Sequence, residues 1–551
     1  MASANSIVVD PSSTKLLLHT PLLIAEDQQD IVPNTVDYKH RPAIRSKHGQ
    51  WKSASFIIWV EMAERLAYYG ISGNLINFLT GKLGQSTAMA ASKVNAWSGV
   101  ASLNPVLGAV IADSFLGRFY TILVSSIIYI LGLGLLTLSA MLPSSDSQTM
   151  MFFIALYMVA IGQGGHKPCV QAFGADQFDG ENPAESKAKS SFFNWWYFGL
   201  CMGYLLGIGV LSYVQENLNW GLGFGIPCII MVIALLIFLL GTSTYRYIII
   251  SENESPFLRI GRVFVKAARN WNVKLPVFGK KEDAHQFRFL DKALFDGCSN
   301  SEVGEAKGVL RLFPIWAATL VYGIVYSQTS TFFTKQGITL ERSIGSTFVI
   351  PAAALQCFIG ICIVIFIPIY DRVLVPIARY LTGKHAGISM LQRIGTGLII
   401  SILSMAVAAV TEKKRLQTTA HFGLIDLPDV TIPMKIWWLL PQYVLFAISE
   451  AFTMVGLQEF FYDQVPKELR SVGLSMYLSI FGWGGLLSSF LVSMINKVSS
   501  KCGRESWFSD NLNRAHLDYF YWLLSGFSVI GSILFIYFAK SYIYNNNKAS
   551  R

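Results

Sequence analysis

Charged side chains are scarce in this chain: Asp, Glu, Lys and Arg together make up 14% of its 551 residues. Soluble globular proteins carry about 25%, so the chain lacks the charge that would cover a water-exposed surface. Apolar residues reach 52% and aromatic residues 13%, a composition that suits contact with lipid. The scarcity of charge excludes an intrinsically disordered protein, a coiled coil and an ordinary cytosolic enzyme.

The chain also lacks the residue patterns of a disulfide framework, a metal site or a catalytic centre. Its 7 Cys are odd in number, form no Cys-x-x-Cys pair, and lie mostly in apolar stretches, where a thiol behaves as a small apolar group. No Ser/His/Asp arrangement or phosphate-binding loop occurs, so we do not expect an enzyme. The net charge of +10 is accounted for by basic cytoplasmic loops, and we expect the lipid bilayer, not a nucleic acid, as the large partner.

Twelve stretches are long and apolar enough to cross a bilayer, which takes about 20 residues per helix. Six precede a polar central segment and six follow it. This predicts an all-α membrane protein with the major facilitator fold, twelve transmembrane helices in two six-helix halves. The predicted spans 1 to 12 are 54–80, 91–113, 120–142, 150–173, 190–213, 219–241, 308–335, 345–370, 391–410, 434–458, 470–495 and 517–540.

The spans divide the chain into five parts. Lys and Arg are more frequent in the segments that would lie inside if the N-terminus is cytosolic, which favours both termini in the cytosol. The predicted parts are a cytosolic N-terminal tail (1–53), an N-terminal six-helix half (54–241), a cytosolic central loop (242–307), a C-terminal six-helix half (308–540) and a cytosolic C-terminal tail (541–551).

The N-terminal tail leaves the choice of membrane open. Its polar composition predicts a flexible segment. The sequence Pro21-Leu22-Leu23 could be a dileucine-type vacuolar sorting signal, and an ordinary tail fits equally well. The plasma membrane and the vacuolar membrane (tonoplast) therefore both stay open.

Span 1 contains three charges, and charged residues inside a membrane need partners, water or a function. Glu61, Glu64 and Arg65 are spaced three and four residues apart, so they share one helical face. A charge at the bilayer centre costs at least about 2.5–3.5 kcal/mol. Two acids against one base leave an excess negative charge unless one acid takes up a proton, which is what a proton-binding group needs. The alternative is an ion-pair cluster that only locks helices together.

Each half contains one further inward charge on an equivalent helix. Lys167 in span 4 lies 9 residues before Asp176, and Glu450 in span 10 lies 13 residues before Asp463. The difference of four residues is about one helical turn. We predict that Lys167 and Glu450 form a gate pair that makes and breaks between the halves. A permanent structural pair is the alternative.

The predicted cytoplasmic end of span 2 contains a second charged pair. Asp113 and Arg118 are expected to clasp helices in one state of the protein and not to touch a solute. Thr121, three residues further on, is a candidate phosphorylation site for a regulatory kinase.

Several of these residues also lie in longer motifs. Glu61-Met-Ala-Glu64-Arg65 and the following Tyr68-Tyr69-Gly70 resemble the ExxER signature of the proton-coupled oligopeptide transporter family. Phe173-Gly-Ala-Asp176-Gln177-Phe178-Asp179 and Phe192-Phe193-Asn194-Trp195-Trp196-Tyr197-Phe198 resemble its plant nitrate/peptide branch, most closely the fifth plant subfamily. The resemblance runs from about residue 50 to 540.

The resemblance implies a major facilitator fold and proton-driven symport of a small solute, with no cofactor beyond the proton gradient. It implies that Glu61, Glu64 and Arg65 couple protons to the solute. It also implies that Lys167 meets anionic groups of the solute and that Glu450 pairs with Lys167. Members of the subfamily carry nitrate, short peptides or other organic solutes, so the resemblance leaves the solute open.

One departure from the family bears on nitrate. The best-studied nitrate carrier type has a His in span 7 where this sequence has Tyr326, and a phenol stays neutral near neutral pH. The cations that remain to bind an anionic solute are Arg65 and Lys167. Tyr68, Tyr69 and Tyr326 are expected to line the solute site.

The charge cluster and the resemblance together predict a proton-coupled symporter. A nutrient sensor related to transporters and a facilitator without proton coupling are the alternatives.

Overall fold

The membrane-crossing helices dominate the structure, a computed structural model that describes residues 31–143, 145–248, 256–273, 287–345, 348–382, 388–466, 469–501 and 505–542. Ten helical stretches in this part of the chain are long and apolar enough to cross a membrane. The stretch Thr87–Met141 has 55 residues, about 80 Å of helix, and turns at Gly117, so it crosses twice. Gln50–Ser72, with 23 residues, adds the twelfth crossing. The predicted all-α fold with two six-helix halves is confirmed.

The helices of the described residues are numbered in chain order. They are α1 Gln50–Ser72, α2 Leu75–Asn77, α3 Thr87–Ile111, α4 Gly117–Met141, α5 Asp146–Ala175, α6 Pro183–Leu205, α7 Ser212–Asn217, α8 Trp220–Leu240, α9 Pro256–Arg269, α10 Asn300–Tyr326, α11 Phe332–Ile338, α12 Cys357–Ile369, α13 Val375–Thr382, α14 Met390–His421, α15 Leu440–Asp463, α16 Arg470–Ser499 and α17 Leu517–Ser541. The crossings of the N-terminal half are α1, α3, α4, α5, α6 and α8, and those of the C-terminal half are α10, α12, α14, α15, α16 and α17.

Short strands lie outside the crossings. They are β1 Ile31–Val36, β2 Pro42–Ile44, β3 Tyr247–Ile248, β4 Leu340–Glu341, β5 Ser343–Ile344, β6 Phe348–Val349 and β7 Ile432–Lys435. The order of the three-stranded sheet is β2-β1-β3, and β4 pairs with β7 and β5 with β6.

Local sequence explains where two helices depart from the predicted spans. Helix α10 begins at Asn300, before the predicted residue 308, because Ser299 and Glu302 form a reciprocal capping box at its N-terminus. The predicted start of span 8 at residue 345 is wrong. Strands β5 and β6 form a hairpin there, with Gly345 at a φ of 67°, and the helical turns begin at Ala352.

The two ends of the helix bundle differ in how the halves meet. We call the end with strands β1 to β3 and helix α9 the terminal end, and the opposite end the distal end. The halves are in close contact from the distal end to the middle, where α3 packs on α16. A Cβ atom on Gly485 of α16 would lie 2.9 Å from the Cα of Gly99 on α3, so only glycine allows these backbones to approach so closely.

Polar contacts also join the halves in the middle and at the distal end. Asn95 of α3 donates to Ser488 of α16 at 2.9 Å, and Gln356 donates to the Gly73 carbonyl at 3.0 Å. Further contacts between the halves, among them the ion pair of Arg342 with Glu216 and the hydrogen bond of Lys335 to Thr80, lie at the distal end. The structure is therefore closed at the distal end.

Residues 31–49 form a strap across the terminal end of the N-terminal half. Strand β1 pairs with both β2 and β3, and the backbone N–H of Gly49 donates to the Thr244 carbonyl at 2.7 Å. Gly49 has a φ of 82°, and a Cβ there would lie 2.6 Å from the Gln177 carbonyl. The expectation of a flexible tail is wrong for residues 31–53, while Pro21–Leu23 and residues 543–551 lie outside the described residues.

Ion pairs fix the strap to the helix ends. Arg45 binds Asp179 at 2.8 Å and Glu185 at 2.7 Å. Arg246, which is fully buried, binds the other Glu185 oxygen at 2.6 Å. These contacts connect the strap to the loop after α5, the start of α6 and the segment after α8. The strap thereby holds the terminal ends of three crossings in one body.

Acid is expected to release this strap. Burial alone would raise the pKa of Asp37, but the backbone N–H groups of Arg41 and Lys39 and the Arg41 guanidinium hold that pKa at about 2, below its usual 3.8. Because the pKa is lower in the folded strap, Asp37 stabilises the strap above its usual pKa, and this contribution is lost as pH falls from 3.8 through about 2.

Hydrogen-exchange protection factors for strands β1 and β2 measure this release. Protection should fall over that pH window in the wild type. Asp37→Asn should show low protection already at neutral pH and little further change on acidification. A wild-type protection that stays constant through the window would show that Asp37 does not hold the strap.

Candidate functional site

A buried ion cluster lies on α1. Glu61, Glu64 and Arg65 are 1%, 1% and 4% exposed. The Arg65 Nε donates to Glu61 Oε1 at 2.7 Å and lies 3.1 Å from Glu64 Oε2. The predicted shared face is thus observed.

Close helix packing holds this cluster in place. A Cβ on Gly203 of α6 would lie 2.6 Å from the Met62 carbonyl and 2.7 Å from the Arg65 Cβ. Glycine at position 203 therefore lets α6 approach α1 at the level of Arg65. Neither Glu64 carboxylate oxygen has a hydrogen-bond partner among the described residues, and the cation in direct contact with Glu64 is Arg65.

Lys167 of α5 joins the same cluster. It lies within electrostatic range of Glu64, Glu61 and Arg65. Two acids and two bases then balance, so the excess negative charge inferred from span 1 alone is offset by Lys167. Protonation of one acid would leave the four groups with one net positive charge.

Lys167 and Glu450 do not form an ion pair between described residues of this structure. Glu450 of α15 is half-buried and lies within electrostatic range of the Tyr69 and Tyr326 hydroxyl groups. Tyr69 is also within range of Arg65 and Glu64. Tyr69 therefore lies between the four-charge cluster of the N-terminal half and the single acid of the C-terminal half.

Aromatic side chains line both sides of this central region. Tyr69 packs edge-on against Tyr204 of α6, with ring centroids 4.6 Å apart, and Tyr68 stacks on Trp97 at 5.5 Å. Across from them, Tyr326 of α10 contacts Phe481 at 5.1 Å and Phe446 at 6.1 Å.

The sequence predicted Tyr68, Tyr69 and Tyr326 at this site but missed Tyr204, Phe446 and Phe481. No motif marks these three residues. The helices that contain them also carry other aromatic residues, so nothing in the sequence singles these three out.

A buried charge cluster facing an aromatic wall and a lone acid is a geometry for binding a small charged solute. The POT family pattern matches residues 119–508, and curated plant proteins match nearly the whole chain. Protein NRT1/ PTR FAMILY 5.10 of Arabidopsis thaliana is 61% identical over 533 residues, covering 92% of this chain and 96% of that protein. Protein NRT1/ PTR FAMILY 5.12 of the same plant is 54% identical and covers 93% of this chain and 96% of its own length.

The chain belongs to the POT family. Its resemblance to that family, inferred from the motifs, is confirmed. An auto-inhibited POT family peptide transporter has a similar structure, with a TM-score of 0.71, 21% identity and coverage of 90% of this chain and 99% of that chain. The family and the fold are those of transporters.

The second predicted pair of this POT family chain is arranged differently from the expectation. Arg118 of α4 forms an ion pair with Asp176 after α5, so it joins the terminal ends of two helices. Asp113 forms no ion pair with a described residue, although it lies within electrostatic range of Arg118. Asp176, at the end of α5, is therefore closer to the Arg118 guanidinium than Asp113, which lies five residues before Arg118 in the sequence.

Thr121 is inaccessible in this conformation. It is 4% exposed, and its hydroxyl donates to the Gly117 carbonyl at 2.8 Å. A kinase would need a conformation in which this part of α4 is exposed. Phosphorylation of Thr121 therefore stays a prediction.

Proposed function

We propose that this POT family chain is a proton-coupled symporter that moves small nitrogen-containing solutes by alternating access. The observation that carries the proposal is the cluster of Glu61, Glu64, Arg65 and Lys167, whose charges balance only while both acids are ionised. A proton on Glu64 leaves Lys167 without its full counter-charge, so an anionic group of the solute is then bound more favourably. Proton and anion would thus enter the site together.

Lys167 and Glu450 act as the gate pair in this mechanism. The present structure is closed at the distal end, and the two side chains are apart. We propose that they pair in the opposite state, when the halves meet at the terminal end. The clasp of Arg118 with Asp176 lies within the N-terminal half and would keep that half rigid during the movement.

We further propose that the terminal end faces the cytosol, with both termini inside, in the plasma membrane or the tonoplast. The distal-closed structure is then inward-facing. Nitrate, di- and tripeptides and related organic anions are the proposed solutes. Support comes from a POT family transporter of similar fold, solved in complex with 5-aminolevulinic acid, with a TM-score of 0.64 and 15% identity.

Uptake at acidic external pH, with and without a protonophore, tests the proposed function. The solutes are nitrate, dipeptides and small organic anions. A symporter concentrates at least one of them and loses this accumulation when the gradient collapses. Equilibration that does not respond to the protonophore would indicate a facilitator, and binding without uptake would indicate a sensor.

Tyr326→His should improve nitrate transport. The phenol is neutral, whereas an imidazole becomes cationic near pH 6, and a hydrogen bond to a charged group contributes roughly 1.5–3 kcal/mol. Nitrate affinity measured by concentration-dependent uptake at acidic pH should therefore rise about tenfold.

The matched control is Tyr326→Phe, which removes the hydroxyl and adds no charge, and should not gain nitrate affinity. If the wild type already binds nitrate tightly and Tyr326→His leaves that affinity unchanged, Tyr326 does not limit the site.

A further inference from the structure

The distal end contains an ion pair that joins the two halves outside the solute site. Glu216 lies in α7, at the distal end of the fifth crossing, and Arg342 lies between β4 and β5, after the seventh crossing. The Arg342 Nη1 is 2.9 Å from Glu216 Oε2, and the side chains are 22% and 16% exposed. One charge therefore belongs to each half, and both are largely withdrawn from water.

Neighbouring contacts orient both partners of this pair. Asn77 Nδ2 lies 3.5 Å from Glu216 Oε1 and also donates to Asn74 Oδ1 at 2.6 Å, which connects Glu216 to the end of the first crossing. Arg342 donates to the Ile350 carbonyl at 3.3 Å. One turn away, Tyr213 stacks on Phe348 across the halves, with ring centroids 5.6 Å apart and planes 13° from parallel.

A second set of cross-half contacts also lies at the distal end. Asp510 accepts from the backbone N–H of Thr87, at the N-terminus of α3, at 2.7 Å. Lys335 donates to Thr80 Oγ1 at 3.0 Å. Only the Glu216–Arg342 contact of these three is a direct ion pair, so it is the contact whose loss leaves two opposite charges partly buried and unpaired.

We propose that Glu216 and Arg342 form a distal latch that sets the balance between the distal-closed and distal-open states. The inference rests on alternating access, part of the proposed function. The latch has to break whenever the halves separate at the distal end. The latch therefore changes the population of the state that receives solute from the distal side. It does not contact the solute, which binds at the central cluster.

Thiol labelling tests the latch in the full-length protein. A cysteine at Thr334, which is 0% exposed and hydrogen-bonded to Gln356 at the junction of the halves, reports distal opening to a membrane-impermeant maleimide. Labelling of the parent without this cysteine is subtracted. Glu216→Gln should increase the labelling rate about fivefold, the population change expected from losing one partly exposed ion pair.

Reversal of both charges, Glu216→Arg with Arg342→Glu, should return the rate towards the parent value. The matched control is Arg514→Gln. Arg514 forms ion pairs with Asp426 and Glu505, also at the distal end but within one half, so its loss should leave labelling unchanged. Solute uptake by Glu216→Gln should show a lower apparent KM from the distal side, a change that mere destabilisation would not produce.

An unchanged labelling rate in Glu216→Gln, or a charge reversal that labels as fast as the single variant, would overturn the latch. The outcomes separate this inference from the proposed function. Wild-type uptake that ignores the proton gradient, combined with latch-dependent labelling, rejects proton coupling and retains the latch. Proton-driven uptake with labelling that does not depend on the latch retains proton coupling and rejects the latch.

Discussion

Glu64→Gln is expected to abolish proton-driven accumulation while sparing exchange of solute across the membrane. Glutamine keeps the size of the side chain but cannot take up a proton, and Glu64 is the acid of the cluster whose oxygens have no hydrogen-bond partner among the described residues. The measurement is the ratio of internal to external solute under an inward proton gradient, which should fall to equilibrium. Counterflow exchange, which needs no net proton movement, should continue.

Two further variants sharpen this experiment. Glu61→Gln removes the negative charge that pairs with Arg65, as well as a group that could take up a proton, and should also lose accumulation. Glu459→Gln changes an acid that is 45% exposed and paired with Arg393, outside the cluster, and should accumulate solute normally. If both Glu64→Gln and Glu61→Gln still concentrate solute as the wild type does, the cluster does not couple protons.

Lys167→Ala and Glu450→Ala should each strongly impair transport, and their effects should not add. Lys167 has two tasks in the proposed mechanism, because it balances Glu64 in this state and pairs with Glu450 in the opposite state. A double-mutant cycle on the transport rate should give a coupling energy within about 0.5–3 kcal/mol, the range found for residues in contact. Exchange of the two charges should restore part of the rate.

The matched cycle combines Lys167→Ala with Glu459→Ala, on the same helix as Glu450. These side chains are not proposed to meet, so their effects should add within about 0.5 kcal/mol. Additive losses in the Lys167/Glu450 cycle as well would show that the pair never forms.

The crossings and the charge cluster on α1 follow from local sequence, which explains why both could be predicted. Apolar length identifies a membrane helix, and spacings of three and four place Glu61, Glu64 and Arg65 on one face. The same local reasoning fails at the start of span 8. Residues 345–351 are apolar enough to extend this span, but Gly345, at a positive φ, lies in a hairpin. Pro351 directly precedes the helical turns, which begin at Ala352.

Contacts between distant segments could not be predicted in this way. Glu216 and Arg342 are 126 residues apart, and each resembles an ordinary loop charge until the halves are assembled. The buried pair of Glu412 and Arg415 has helical spacing, but it lies beyond the apolar stretch that marked span 9. Lys167 was placed on the correct helix, while its approach to the α1 cluster depends on the packing of α5 against α1.

Proton movement measured directly in liposomes containing the purified protein tests the central claim. A pH-sensitive dye is enclosed, no proton gradient is imposed, and an accepted solute is added outside. The wild type should acidify the interior as solute enters, and Glu64→Gln should carry solute with no acidification. Solute entry by the wild type without any proton movement, or equal acidification by Glu64→Gln, would contradict coupling through the Glu61, Glu64, Arg65 and Lys167 cluster.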